Sequence, residues 1–345
     1  NGTIAWMQGN GQYVSITHDG EFAVLAGTGG SNQVRPRLTI YKRNDTNSTY
    51  DLKKTIYYGT QNGINNKYKF IQIRKTDNGN ILIFFLDLNT VVKYIKSADN
   101  GVNWDTSSGY GVSSGASGTY LRADARATRL ITADSGNSNT IIYDINSSTG
   151  ACTISKTITL SSTSVAINEH GNTISIGDYA YSSNTGRIAV YKYITNDWIM
   201  QGSYLTGHST ISRYNCMAIN PDGDKIAIST ISDNGDDMMA IFKYMKVSQA
   251  EWNAANNNGT HTSESSVGQL STTWKVLHDR GASWDENKYY WYQYSNTITS
   301  SSNYNQLSWA GSSYVLATYG NKVDLFEVNY DTVTINNGLV VNKVA

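Results

Sequence analysis

Few residues in this chain have the type and spacing to do chemistry. Asp233, Asp236 and Asp237, with Asn234 among them, put three carboxylates and an amide into one short polar segment. A hard cation such as Ca²⁺ takes several oxygen ligands from one flexible loop, so this is the candidate calcium set, with a solvated acidic turn as the competing reading. The second candidate is Lys288-Tyr-Tyr-Trp-Tyr-Gln-Tyr294. On a strand, Tyr289, Tyr290, Trp291, Tyr292 and Tyr294 would offer a face for stacking on sugars or filling a protein interface, unless they are buried. The histidines His18, His170, His208, His261 and His278 show no ligand spacing, and no Cys-x-x-Cys occurs. Cys152 and Cys216 stand in apolar contexts, where two buried free thiols are expected and one disulfide is the alternative. No catalytic residue is assigned. Arg74, Arg122, Arg126, Arg187, Arg213 and Arg280 match no motif and read as surface and inter-blade hydrogen-bonders.

The elements that must position these side chains follow from composition and pattern. The 345 residues are 39% hydrophobic and 16% charged, with 27 basic residues against 27 acidic ones. Soluble domains average about 25% charged, so neutral polar groups cover this surface instead. Zero net charge excludes the basic excess of a nucleic-acid binder and the high charge of a disordered chain. The apolar run Ile81–Leu86 is far short of the ~20 residues of a membrane helix. Period-two alternation dominates, and the best helical stretch is Val247–Asn257. The chain reads as all-β.

A repeat organises the strands. Tight turns recur at His18-Asp19-Gly20, Asp77-Asn78-Gly79, Glu169-His170-Gly171 and Pro221-Asp222-Gly223, with weaker versions at Ala127-Thr128 and Ala310-Gly311. Each precedes an apolar strand, and a later strand carries an aromatic: Tyr41, Tyr94, Tyr143, Tyr191, Phe242 or Phe326. A period of about 40–50 residues with four strands per unit indicates a β-propeller, because one four-stranded sheet has two apolar faces and needs a neighbour on each. Residues 1–345 therefore form a single β-propeller domain of six or seven four-stranded blades. The stretch 253–304 is either an insertion or a degenerate blade. Thr3-Ile-Ala-Trp6-Met-Gln-Gly9 resembles the fourth strand Trp198–Gly202, which predicts an N-terminal strand completing the last blade and removing an open edge.

Two family resemblances rest on these residues. Ser164–Asp178 with Gly186–Tyr193 resembles the FG-GAP repeats of integrin-α-type propellers, in the form found in surface proteins of bacteria and large DNA viruses; residues 216–244 repeat it more weakly. The resemblance implies a binding propeller, often with calcium between the second and third strands, although Tyr-Ala-Tyr-Ser-Ser after Asp178 lacks the alternating acids. Ser97, Asp99, Gly101 and Trp104 fit the Asp-box of sialidase-like propellers, with Asp279–Trp284 as a partial copy. In that family the box is a folding device. Arg35-Pro36-Arg37 departs from the family's Arg-Ile-Pro order.

The functional expectation is a non-enzymatic binding or structural module, extracellular or on a virion or cell surface, engaging other proteins of an assembly. A glycan-binding, lectin-like propeller is the alternative, and a sialidase-like hydrolase the third. Partners are proteins or glycans, without nucleic acid or membrane insertion; calcium is the one cofactor considered. Sequons at Asn1, Asn44, Asn47, Asn146 and Asn258 permit an extracellular life. The start, Asn-Gly-Thr without a leader, fits either a removed signal or a later start.

Overall fold

The turn closing each first strand explains the repeat. Thr17, Thr76, Asp124, Asn168 and Asn220 each sit three residues before a residue of positive φ: Gly20, Gly79, Ala127, Gly171 and Gly223. That residue's amide donates back to the first residue's carbonyl, at 2.9–3.3 Å. The polar side chain then takes amides from the start of the second strand. Phe22 N–H donates to Thr17 Oγ1 (3.0 Å), and Thr173 and Lys225 N–H donate to Asn168 and Asn220 Oδ1 (2.9 and 2.8 Å). Short polar side chains suit this position because they mimic a backbone acceptor.

The computed structural model describes residues 11–335 except 28–36, 47–48, 58–68, 88–89, 106–111, 135–137, 179–180, 182–185, 207–212, 232–236, 258–275, 278–282, 295–297, 301–305, 320–321 and 330–331. The fold is an all-β propeller of six four-stranded antiparallel blades. The chain divides into two compact units, Asn1–Thr159 and Leu160–Ala345, with three blades in each.

In the first unit, blade one comprises Gly11–Ile16, Phe22–Gly27, Arg37–Asn44 and Thr49–Tyr57. Blade two comprises Lys69–Lys75, Ile81–Leu86, Val91–Ser97 and Val112–Ser117, and blade three Tyr120–Ala123, Arg129–Asp134, Asn139–Ile145 and Cys152–Ile158. All six residues of Ile81–Leu86 are buried, because blade two has an apolar neighbour on each face. Ile81, Ile83 and Phe85 pack with Phe22, Val24 and Ile40, whereas Leu82, Phe84 and Leu86 pack with Leu121, Leu130 and Tyr143. Full burial of such a side chain contributes about 1.5–3 kcal/mol. The Ser97–Trp104 segment closes a hairpin against blade one. Ser97 Oγ donates to Asp99 Oδ1 (2.8 Å), Gly101 N–H to Ser97 Oγ (2.8 Å) and Trp104 Nε1–H to Gly101 O (3.1 Å).

In the second unit, blade four comprises Ser164–Ile167, Thr173–Asp178, Arg187–Ile194 and Asp197–Met200. Blade five comprises Arg213–Ile219, Lys225–Ile231, Asp237–Met245 and Tyr290–Gln293, and blade six Gln306–Ala310, Tyr314–Tyr319, Lys322–Asn329 and Thr332–Ile335. The long interval before the last turn is thus an insertion between the third and fourth strands of blade five, and the choice between six and seven blades falls on six. The insertion holds a short helix, Gln249–Ala254, whose capping box joins Ser248 and Glu251. Thr332–Ile335 occupies the fourth place in blade six, and the expected closing strand at Thr3–Gly9 lies outside the described residues. Cys152 and Cys216 are both buried free thiols. Among the described residues, no helix is long and apolar enough to cross a membrane.

Candidate functional site

The first strands of blades one to three bring a polar level together inside the first unit. Ser15, Arg74 and Arg122 each stand five residues before their blade's positive-φ turn residue, at Gly20, Gly79 and Ala127. Equal offset puts them at equal height. The corresponding positions in the second unit are Ala166, Ala218 and Gln306, so the charged level belongs to the first.

Arg74 is the centre of this level. Its Nε–H donates to Ala123 O of blade three (3.1 Å), and Nη1 donates to Ser15 Oγ of blade one (3.2 Å) and to its neighbour Ile73 O (2.7 Å). Nη2 donates to Gln72 Oε1, and among the described residues its second N–H takes no protein partner. Ser15 Oγ also accepts Ile73 N–H (3.1 Å), stitching blades one and two. The expected inter-blade hydrogen-bonding role of an arginine therefore holds for Arg74. Burial pushes its guanidinium down to about 10; the Asp124 carboxylate pulls the other way and the Arg122 charge adds to the lowering. It remains a cation at neutral pH.

Arg122 is half-buried and donates Nη1 to Leu121 O (3.1 Å). Asp124 is 1% exposed, and burial raises its carboxyl above the usual range against hydrogen bonds from Arg129 and Thr128 and the charge of Arg74. Those bonds tie it to the turn: its Oδ1 accepts Thr128 and Arg129 N–H at 2.8 and 2.7 Å, and its Oδ2 the Thr128 hydroxyl at 3.0 Å. Asp124 thus serves as a fixed counter-charge. Next to this level on the same strands lie Tyr13, Phe70, Gln72 and Tyr120. Tyr13 is raised by burial, with Arg122 opposing. The arrangement offers a partly desolvated pair of guanidinium groups, which can hold a carboxylate or phosphate and stabilise a developing oxyanion.

The sites expected from the sequence fall on other residues of the chain. Asp233 and Asp236 are outside the described residues, and Asp237 opens the third strand of blade five, its side chain likewise outside them. Among the described residues, no three His, Cys, Asp or Glu side chains gather as a metal ion needs. Tyr290, Trp291 and Tyr292 are 1%, 2% and 4% exposed, which corrects the expectation of a solvent-facing aromatic surface. The insertion is the cause. It places Val247, Ala255 and Leu277 over Tyr290 and Tyr292, while Trp291 packs with Phe242 and donates Nε1–H to Gln201 O (2.7 Å). Tyr289 alone of that set is well exposed, and Tyr294 is half-buried with the Lys225 and Lys243 ammonium groups over its ring at 5.2 and 5.3 Å.

No family model matches this chain, and no curated protein matches it, so neither the FG-GAP nor the Asp-box resemblance is confirmed. Solved structures do resemble it in fold. One is a protein from Lactobacillus plantarum, 11% identical, with 98% of this chain and 86% of that one covered at a TM-score of 0.58. A candidate 6-phosphogluconolactonase from Bacteroides fragilis is 13% identical, with 97% and 85% covered at 0.56. A second, from Bacteroides uniformis, is 10% identical, with 96% and 86% covered at 0.55. At these identities the likeness shows the fold. It also corrects the expectation of a non-enzymatic module: two of these neighbours are candidate 6-phosphogluconolactonases, so a missing catalytic motif is no argument against catalysis on this scaffold. Ser15, Arg74 and Arg122 are single residues on separate first strands, a placement that no local motif records.

Proposed function

We propose that the protein is a lactonase-type hydrolase acting on lactones that carry an anionic group. The observation that carries this reading is the placement of Arg74 and Arg122 at one level of adjacent first strands, beside Gln72, Ser15 and the buried Asp124. Two fold neighbours that are candidate 6-phosphogluconolactonases support this choice of reaction class.

Lactone hydrolysis adds water to the ring carbonyl, passes through a tetrahedral oxyanion, and breaks the ring C–O bond to release a hydroxy acid. Arg122 holds the substrate's anion, and the second Nη2–H of Arg74 offsets charge on the oxyanion. Burial strengthens both interactions relative to water. Gln72 and Ser15 fix the Arg74 fork through two of its nitrogens, so little reorganisation accompanies the reaction. Asp124 offsets part of the positive charge of Arg74.

The test is base uptake at constant pH during hydrolysis of 6-phosphogluconolactone and of uncharged glucono-1,5-lactone. The charged substrate should show a kcat/KM about tenfold higher or more, the worth of one added charge-assisted contact. Equal values for the two would remove the anion-binding role of the arginines.

A further inference from the structure

We infer that Tyr13, Phe70 and Tyr120 form a ring-binding subsite beside the two guanidinium groups, taking the apolar C–H face of a sugar ring. The inference rests on the lactonase reading for its reaction but on separate residues for its evidence. The three rings stand in a row across the first strands of blades one, two and three. Tyr13 and Phe70 are 5.8 Å apart at 47°, and Phe70 and Tyr120 5.1 Å apart at 55°. All three are half-buried, so the row keeps accessible surface while being fixed by packing.

The backbone points the same way. Phe70 has φ +51°, a conformation that costs a bulky residue heavily and persists only where the surroundings enforce it. It lies in a register shift between Lys69 and Gln72, and a second shift separates Gly11 from Tyr13. Bulges re-aim side chains, and here two of them accompany two members of one aromatic row. Blade three needs none, since Tyr120 already pairs in regular register with Ala133. Tyr13 packs against the core between blades one and two and Phe70 against the core between blades two and three, which fixes one side of each ring. An electron-rich ring face next to a cation pair suits a ligand that is apolar on one side and anionic at one end.

The test is calorimetric titration with two probes, glucose 6-phosphate (ring and anion) and inorganic phosphate (anion alone). The wild type should bind the sugar phosphate about tenfold tighter than phosphate, the scale of one good aromatic contact. Tyr120→Leu and Phe70→Leu should reduce that advantage to about threefold or less while the phosphate Kd stays within about twofold. A role confined to packing would move neither ratio. Tyr13→Leu replaces either variant that does not show a wild-type-like melt. Equal binding of the two probes, or no binding of the sugar phosphate, overturns the subsite even if lactone is turned over. Aromatic-dependent sugar-phosphate binding without any turnover upholds the subsite and overturns the lactonase reading instead.

Discussion

Replacing Asp124 separates the two jobs this side chain holds. Its Oδ1 accepts the amides of Thr128 and Arg129 at 2.8 and 2.7 Å, and its charge faces Arg74. Blades four and five fill the same turn position with asparagine. Asn168 Oδ1 accepts from Asn172 and Thr173 at 3.0 and 2.9 Å, and Asn220 Oδ1 from Asp224 and Lys225 at 3.1 and 2.8 Å. Asp124→Asn should therefore keep the turn. Asp124→Ala removes the acceptor; water reaches the exposed Thr128 amide, but Arg129 N–H loses its partner. That costs about 2 kcal/mol. In a unit of this size the melting temperature falls by roughly 4–8 °C.

Charge adds a pH dependence that separates the variants further. The carboxyl is raised in the fold, so the native state holds its proton to higher pH than the unfolded chain does. Stability is then lost as pH rises from the ordinary carboxylate range through the raised value. Asparagine cannot titrate. Differential scanning calorimetry from pH 4 to 8 should show Asp124→Asn gaining on the wild type toward neutral pH, with Asp124→Ala below both at pH 7. An asparagine variant as damaged as the alanine one, or a gap that does not change with pH, would refute the reasoning.

Two further outcomes follow from the packing. Gly101 has φ +81°, and a Cβ there would lie 2.5 Å from Cε1 of the fully buried Phe22; Gly101→Ala should cost about 2–4 kcal/mol, read as a lowered urea midpoint, and an unchanged midpoint would exclude the contact. Burial pushes the Cys152 thiol up to about 11, so it should resist a thiol reagent at pH 8 until denaturant is added. Since the unfolded thiol ionises near ~8.5, stability should also decline above that pH, and less so in Cys152→Ala.

The blades were legible in the sequence because their determinants are local. Asp-Gly and Asn-Gly turns and the apolar run at Ile81–Leu86 each declare themselves within one hairpin, whereas the aromatic of blade two, Tyr94, pairs with Phe84 and stands two positions off the register of Tyr41, Tyr143, Tyr191 and Phe242. Blade number was harder: the insertion between Met245 and Tyr290 separates a third strand from its fourth, and nothing in the residues marks them as partners. The same insertion hides Tyr290 and Tyr292, so their burial depends on residues such as Val247 and Leu277 that sequence pattern does not connect to them. The arginine level escaped for a related reason. Its members are single residues on separate blades, and only the shared offset from Gly20, Gly79 and Ala127 would have aligned Ser15, Arg74 and Arg122.

The most direct measurement compares 6-phosphogluconolactone hydrolysis by the wild type, Arg122→Ala and Arg122→Lys against the spontaneous rate. Wild-type turnover well above background, a loss of about 100-fold in the alanine variant and partial recovery with lysine are expected if the first-strand guanidinium groups bind and stabilise the reacting anion. A wild type no faster than buffer, or an alanine variant at full rate, would contradict it.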